Sequence, residues 1–237
     1  MIHNLKIKIY TDSADIDEML KSEKNGYVDG FTTNPSLLKS AGVTDYSKFA
    51  KDALSKLKYP ISFEVFSDDI ETMEKEAEII NNFGENVYIK IPILTTKGES
   101  TVSLIKKLSD KGLKLNITAI CTIEQVKEAV EAINPKSDAL ISVFAGRIAD
   151  SGINPIPIMK KAKEICDTNS ATKLLWASTR EVYNIIQADE IGCDIITVPP
   201  SIVSKLSGLG KEAFEISLDT VKTFAKDIKD SGLTINN

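Results

Sequence analysis

Residues 87–93 read VYIKIPI, an apolar run in which Ile89, Ile91 and Ile93 fall on one face of an extended chain while Tyr88 and Lys90 fall on the other. An isoleucine-rich run of this length, too short for a helix, predicts a strand covered on one side by helices. Seven further runs share the pattern. Residues 6–12 (KIKIYTD), 28–34 (VDGFTTN) and 61–66 (ISFEVF) precede it, and 114–120 (KLNITAI), 139–146 (ALISVFAG), 173–178 (KLLWAS) and 193–199 (CDIITVP) follow it. Amphipathic segments such as 68–82 and 100–111 lie between them; in the first, Ile70, Met73, Ala77 and Ile80 keep helical spacing. Eight strand–helix units imply a parallel sheet whose natural closure is a barrel. The chain is therefore expected to be an α/β protein, a single (β/α)8 TIM barrel domain over residues 1–237. A doubly wound open sheet is the alternative, weakened because no Gly-rich dinucleotide fingerprint follows the first strand.

The tail exceeds a minimal barrel. Pro200–Leu206 supplies the eighth helix, Ser207–Gly210 a break, and residues 211–229 an additional C-terminal helix with Phe214, Ile216, Leu218, Val221, Phe224 and Ile228 on its apolar face. Such a helix packs either on the barrel's outside or on a neighbouring subunit. The neighbour is favoured, which makes a homo-oligomer the expectation.

The totals narrow the chemistry. With 237 residues, 42% hydrophobic and 27% charged, the chain has the composition of an ordinary soluble globule. A net charge of −5 argues against nucleic-acid binding, and no apolar run reaches the ~18 residues of a membrane span. The start lacks a signal-peptide layout, and Cys121, Cys166 and Cys193 match no metal or redox motif, so a reducing cytoplasm is expected. The one histidine, His3, stands at the amino terminus, where fraying is the default. Histidine triads, histidine zinc sites and histidine general bases are poor candidates, and proton transfer falls to Asp, Glu, Lys, Tyr or water.

Alternation sorts each strand into two faces. Ile89, Ile91 and Ile93, then Leu115, Ile117 and Ala119, then Ile141, Val143 and Ala145 form helix-facing sets. The opposite sets are polar near the strand ends: Asp12, Thr32, Asn34, Ser62, Glu64, Tyr88, Lys90, Asn116, Thr118, Ser142 and Ser178. Burying neutral polar groups unpaired costs about 2–7 kcal/mol each. A mutually satisfied Asp–Lys–Glu network is the structural alternative. The cluster's place at the carboxyl ends of the strands, where barrel active sites sit, favours a site.

An inward lysine flanked by isoleucines is a candidate nucleophile. Free lysine has a pKa of ~10.4, and lowering it by about three corresponds to ~4 kcal/mol, within the reach of burial. Neutral Lys90 would attack a ketone and form an imine, an electron sink for breaking the adjacent C–C bond, with Asp12 and Glu64 moving protons. Arg147 and Arg180, the two arginines among 29 basic residues, follow strand ends and suit phosphate oxygens.

These residues resemble a known family. YTDSADIDEMLKSEKNGYVDGFTTNPSLLKSAG is similar to the opening of the small transaldolases, YIKIPIL to their lysine strand and LKLNITAI to their N-x-T strand. SVFAGRIAD and WASTRE resemble their S-x-F-x-G-R and A-S-x-R segments, in family order across nearly the whole chain. The resemblance implies a transaldolase that moves a dihydroxyacetone unit from a ketose phosphate of the fructose 6-phosphate type to an aldose phosphate acceptor. Lys90 would carry the Schiff base and Asp12 would take the C4 hydroxyl proton. Glu64 with Thr118 would position a water that relays protons. Asn34, Asn116 and Ser142 would hold the three-carbon unit, Phe144 would line its site, and Arg147, Arg180 and Ser178 would grip phosphate. No metal and no organic cofactor is implied.

The neighbouring fructose-6-phosphate aldolases of this family carry Gln at the position of Glu64 and Tyr at that of Phe144, so the residues here favour transfer over cleavage. Val143 in place of the usual proline, Ala149 in place of a common aspartate, and a longer turn at Ile93-Leu94-Thr95 are departures at the mouth. They keep open a lyase reading and a divergent sugar substrate. A barrel that only binds sugar phosphates would be expected to lack a site residue; the set is complete.

Overall fold

The computed structural model describes residues 5–235, so His3 lies outside the described residues. All eight predicted runs are strands: β1 (Lys8–Asp12), β2 (Gly30–Thr32), β3 (Ile61–Glu64), β4 (Val87–Pro92), β5 (Leu115–Ile120), β6 (Ala139–Val143), β7 (Thr172–Trp176) and β8 (Ile195–Val198). Each pairs in parallel with the next, and β8 pairs with β1 to close the barrel. The helices are α1 (Ile16–Lys24), α2 (Pro35–Ser40), α3 (Tyr46–Lys56), α4 (Ile70–Asn81), α5 (Val102–Asp110), α6 (Ile123–Ala132), α7 (Ala145–Asp150), α8 (Pro155–Cys166), α9 (Tyr183–Glu190), α10 (Pro200–Val203) and α11 (Ala213–Ser231). None is long and apolar enough to cross a membrane.

The large core lies between strands and helices, where Ile89, Ile91 and Ile93 meet Met73, Ala77 and Ile80 of α4 within one buried cluster. A smaller one fills the barrel itself: Tyr10, Tyr88, Leu140, Leu175, Ala177 and Ile195. Tyr88 thus belongs to this plug, not to the mouth; its hydroxyl donates to Asp138 Oδ2 at 2.6 Å. Gly30 is required beside it, since a Cβ there would stand 2.5 Å from the Tyr10 ring.

One alternation fails. Ile117 pairs with Ile141 and Ile120 with Val143, so Thr118 and Ala119 together oppose Ser142 alone, a β-bulge. Ala119 adopts φ 61°, is exposed to the mouth and does not face the helices; Ile120 takes that place, fully buried. Ala145 likewise leaves the strand pattern and opens α7. The predicted eighth helix is the short α10 followed by a 3-10 turn at Leu206–Gly208. Helix α11 stands with every residue exposed, Phe214 at 78% and Phe224 at 62%.

Candidate active site

The strands' carboxyl ends open into a cavity of about 610 Å³. Leu175 and Ala177 of the interior plug make part of its lining. The polar residues of the strand ends surround it: Asp12, Asn34, Glu64, Lys90, Asn116, Thr118, Ser142, Ser178, Arg147 and Arg180 all line this one space, with Phe144 among them.

Register brings the central pair together. Glu64 ends β3 and lies directly opposite Lys90 on β4, and Lys90 Nζ stands 3.1 Å from Glu64 Oε2. The same nitrogen donates to Thr33 O at 2.9 Å. Lys90 is buried at 7% exposure. Its flanking isoleucines point to the helices, so the apolar surroundings expected for the amine are replaced by a carboxylate and a carbonyl oxygen.

Asp12, the last residue of β1, is held on both oxygens. Thr32 Oγ1 donates to Oδ1 at 3.0 Å and Asn34 Nδ2 to Oδ2 at 3.3 Å. The sequence N-P after β2 explains Asn34's place: it caps α2, with Pro35 at the first helical position, and its Oδ1 accepts the Leu37 N–H at 3.0 Å. That bond fixes which end of the amide faces Asp12. Burial raises the Asp12 pKa, while Lys90 and the Thr32 hydrogen bond pull it down and Glu64 pushes it up.

Deeper in, Asn116 is spanned by two serines. It donates to Ser62 Oγ at 3.0 Å and accepts from Ser142 Oγ at 2.6 Å, fully buried. Much of its bonding capacity is therefore internal. Thr118 differs: its Oγ1 is buried beside the cavity without a hydrogen-bond partner among the described residues.

The two arginines stand apart in kind. Arg180 donates from Nε to Asp150 Oδ1 and Oδ2 at 2.9 and 3.0 Å, and from Nη1 to Ser178 O at 2.8 Å; Arg180 in turn lowers the Asp150 pKa. Arg147, exposed at the rim, lies over the Phe144 ring with its Cζ 5.5 Å from the centroid. Ser178 adopts φ 65°, so two residues other than glycine with left-handed backbone, Ala119 and Ser178, line the same cavity.

Sequence reasoning missed Thr33, Cys121, Asp150 and Thr197. For Thr197 a signal existed, because alternation with Ile196 and Val198 turns it inward, and its Oγ1 lies 2.5 Å from Thr32 Oγ1. Thr33 acts through its backbone oxygen, which no side-chain pattern announces. Among the described residues no group of three or more His, Cys, Asp or Glu side chains is arranged to hold a metal ion.

Residues 9–236 match the family described as transaldolase/fructose-6-phosphate aldolase. A probable transaldolase of Sphingopyxis alaskensis is 34% identical over 201 residues, 84% of this chain and 89% of that protein. Probable transaldolases of Brucella anthropi and Bartonella tribocorum are each 35% identical over 84% of this chain and 88% of their own.

Proposed function

The chain belongs to the transaldolase/fructose-6-phosphate aldolase family, and from that premise we propose that it is a transaldolase, moving dihydroxyacetone from a ketose phosphate to an aldose phosphate through a Schiff base on Lys90. The observation that carries the reading is the buried Lys90 nitrogen, 3.1 Å from Glu64, in a residue that lines the same cavity as Asp12.

The steps follow from these neighbours. Lys90 passes a proton to Glu64 and its nitrogen adds to the C2 carbonyl of the ketose; loss of water leaves an iminium. Asp12 removes the C4 hydroxyl proton as the C3–C4 bond breaks, and that bond's electron pair moves to the nitrogen as an enamine. The aldose phosphate departs as an aldehyde. An acceptor aldehyde then takes the enamine carbon, Asp12 returns the proton to the new alkoxide, and hydrolysis frees Lys90. Thr118, with its unspent hydroxyl, suits the water of that hydrolysis together with Glu64. Asn34, Asn116 and Ser142 hold the three-carbon unit, while Arg147, Arg180 and Ser178 receive phosphate.

The lyase alternative uses the same site: the enamine carbon takes a proton in place of the acceptor, and hydrolysis of the resulting iminium releases dihydroxyacetone. Incubation with fructose 6-phosphate, with and without erythrose 4-phosphate, separates the two. Transfer predicts a new ketose phosphate only with acceptor; rapid free dihydroxyacetone without it would make the enzyme a lyase.

A second copy of the chain completes the reading. Helix α11 exposes Phe214, Ile216, Val221, Phe224 and Ile228, each more than half exposed, a contiguous apolar face of the kind that marks an association surface. The enzyme is thus a homo-oligomer in which α11 docks on a neighbour.

A further inference from the structure

Asp12 is fixed by more than its two direct partners. Thr32 Oγ1, 3.0 Å from Asp12 Oδ1, also lies 2.5 Å from Thr197 Oγ1 on β8. Thr32 and Thr197 are buried, at 2% and 7% exposure, and Thr197 lines the cavity. Threonine is common in strands for packing reasons, and valine would fill the same volume. Here both hydroxyls turn toward one another and toward the carboxylate inside the barrel.

Counting protons gives the chain a direction. A hydroxyl has one hydrogen and accepts through its lone pairs. With Asp12 ionised, Thr32 must donate to it, so Thr197 is the donor in the 2.5 Å contact. The backbone of Thr197 is pinned, since its carbonyl accepts Thr179 Oγ1 at 2.7 Å. Resting on the reading of Asp12 as the base, we infer that Thr197 is a positioning residue for the reaction, the outer member of a two-hydroxyl chain that fixes the Asp12 carboxylate and reverses when Asp12 takes a proton.

The two sides of the carboxylate respond differently to that proton. Asn34 is locked by its bond to Leu37 N and presents only its amide N–H groups to Oδ2. The Thr32 hydroxyl hydrogen can reorient: once Oδ1 carries a proton, Thr32 Oγ1 accepts a hydrogen bond from it and donates to Thr197, and the Thr197 hydroxyl hydrogen turns into the cavity. The charged groups that face Asp12 are Lys90 of β4 and Glu64 of β3; Arg147 and Arg180 stand on the α7 and β7 side of the mouth. The Thr197–Thr32 chain is the neutral influence on Asp12 from β2 and β8.

The test is the pH profile of kcat/KM for transfer, with the Asp12 carboxyl followed in parallel by ¹³C NMR. Thr197→Val removes the outer donor and should move the acid limb, and the carboxyl titration, upward by about half a pH unit. Thr32→Val should move both further, and Thr197→Ser should restore the wild-type limb. Thr197→Ala serves if the valine variant folds poorly. Limbs unmoved in the Val and Ala variants, or the Ser variant shifted as far as Val, would overturn the inference; a packing role alone lowers turnover equally at every pH. Asp12→Asn isolates the premise. Wild-type transfer in that variant defeats the reading of Asp12 as base, whereas an inactive Asp12→Asn with unmoved threonine variants defeats only the inference about Thr197.

Discussion

Gly146 and Ser178 meet backbone to backbone: a Cβ on Gly146 would stand 1.6 Å from Ser178 O. The same oxygen accepts Arg180 Nη1, so this contact ties the turn after β6 to the turn after β7 and thereby sets the spacing of Arg147 and Arg180. Gly146→Ala must push the two turns apart. Overpacking of this kind costs about 1–3 kcal/mol, and the variant should unfold at lower urea concentration with weakened affinity for sugar phosphates. Denaturant titration and inhibition by inorganic phosphate check both.

Arg147 and Arg180 should not be equivalent. Arg180 is held by hydrogen bonds to Asp150 and Ser178 O, whereas Arg147 lies over the Phe144 ring and acts on Asp150 through its charge alone. Arg147→Ala is expected to raise KM for a phosphorylated donor at least tenfold, an amount in keeping with the loss of a charge-assisted contact. It should leave turnover of an unphosphorylated donor nearly unchanged. Steady-state kinetics with paired donors measures the difference.

Asp12 should cost the fold stability near neutral pH. Its pKa is raised in the native protein, chiefly by burial, so the native state keeps the proton at pH values where the unfolded chain has released it. The stability this group contributes is present below the unfolded value and is lost as pH rises through the native one. Asp12→Asn removes that dependence. The variant should be inactive yet melt higher than the wild type at about pH 7, with the gain shrinking toward about pH 3. An equal gain at both pH values would contradict the assignment.

Helix α11 offers a direct probe of assembly. Phe224→Glu places a charge in the exposed apolar face without touching the barrel, so sedimentation should report smaller particles at unchanged circular dichroism. Unchanged mass would mean that another surface holds the copies together.

Much of the barrel was legible because parallel strands buried on both sides write themselves as isoleucine-rich runs, and VYIKIPI carries both faces at once. The polar residues at the strand ends were legible for the same reason: alternation placed Asp12, Glu64, Lys90, Asn116 and Ser142 inward. Alternation also misled at Ala119, because a bulge inserts a residue without any glycine or proline to mark it. The surroundings of Lys90 were misjudged from its chain neighbours Ile89 and Ile91; what the nitrogen meets is set by Glu64 and Thr33 on adjacent strands, a matter of register that the local sequence does not encode. The Arg180–Asp150 pair, 30 residues apart, is hidden for the same reason.

Covalent capture of the donor's carbonyl carbon by one nitrogen is the step on which the proposed chemistry turns. Borohydride reduction in the presence of fructose 6-phosphate, followed by peptide mass mapping, reads that bond directly. The expected result is a reduced three-carbon adduct on the peptide containing Lys90, absent from a folded and inactive Lys90→Ala variant. An adduct on any other lysine, or full turnover in Lys90→Ala, would contradict it.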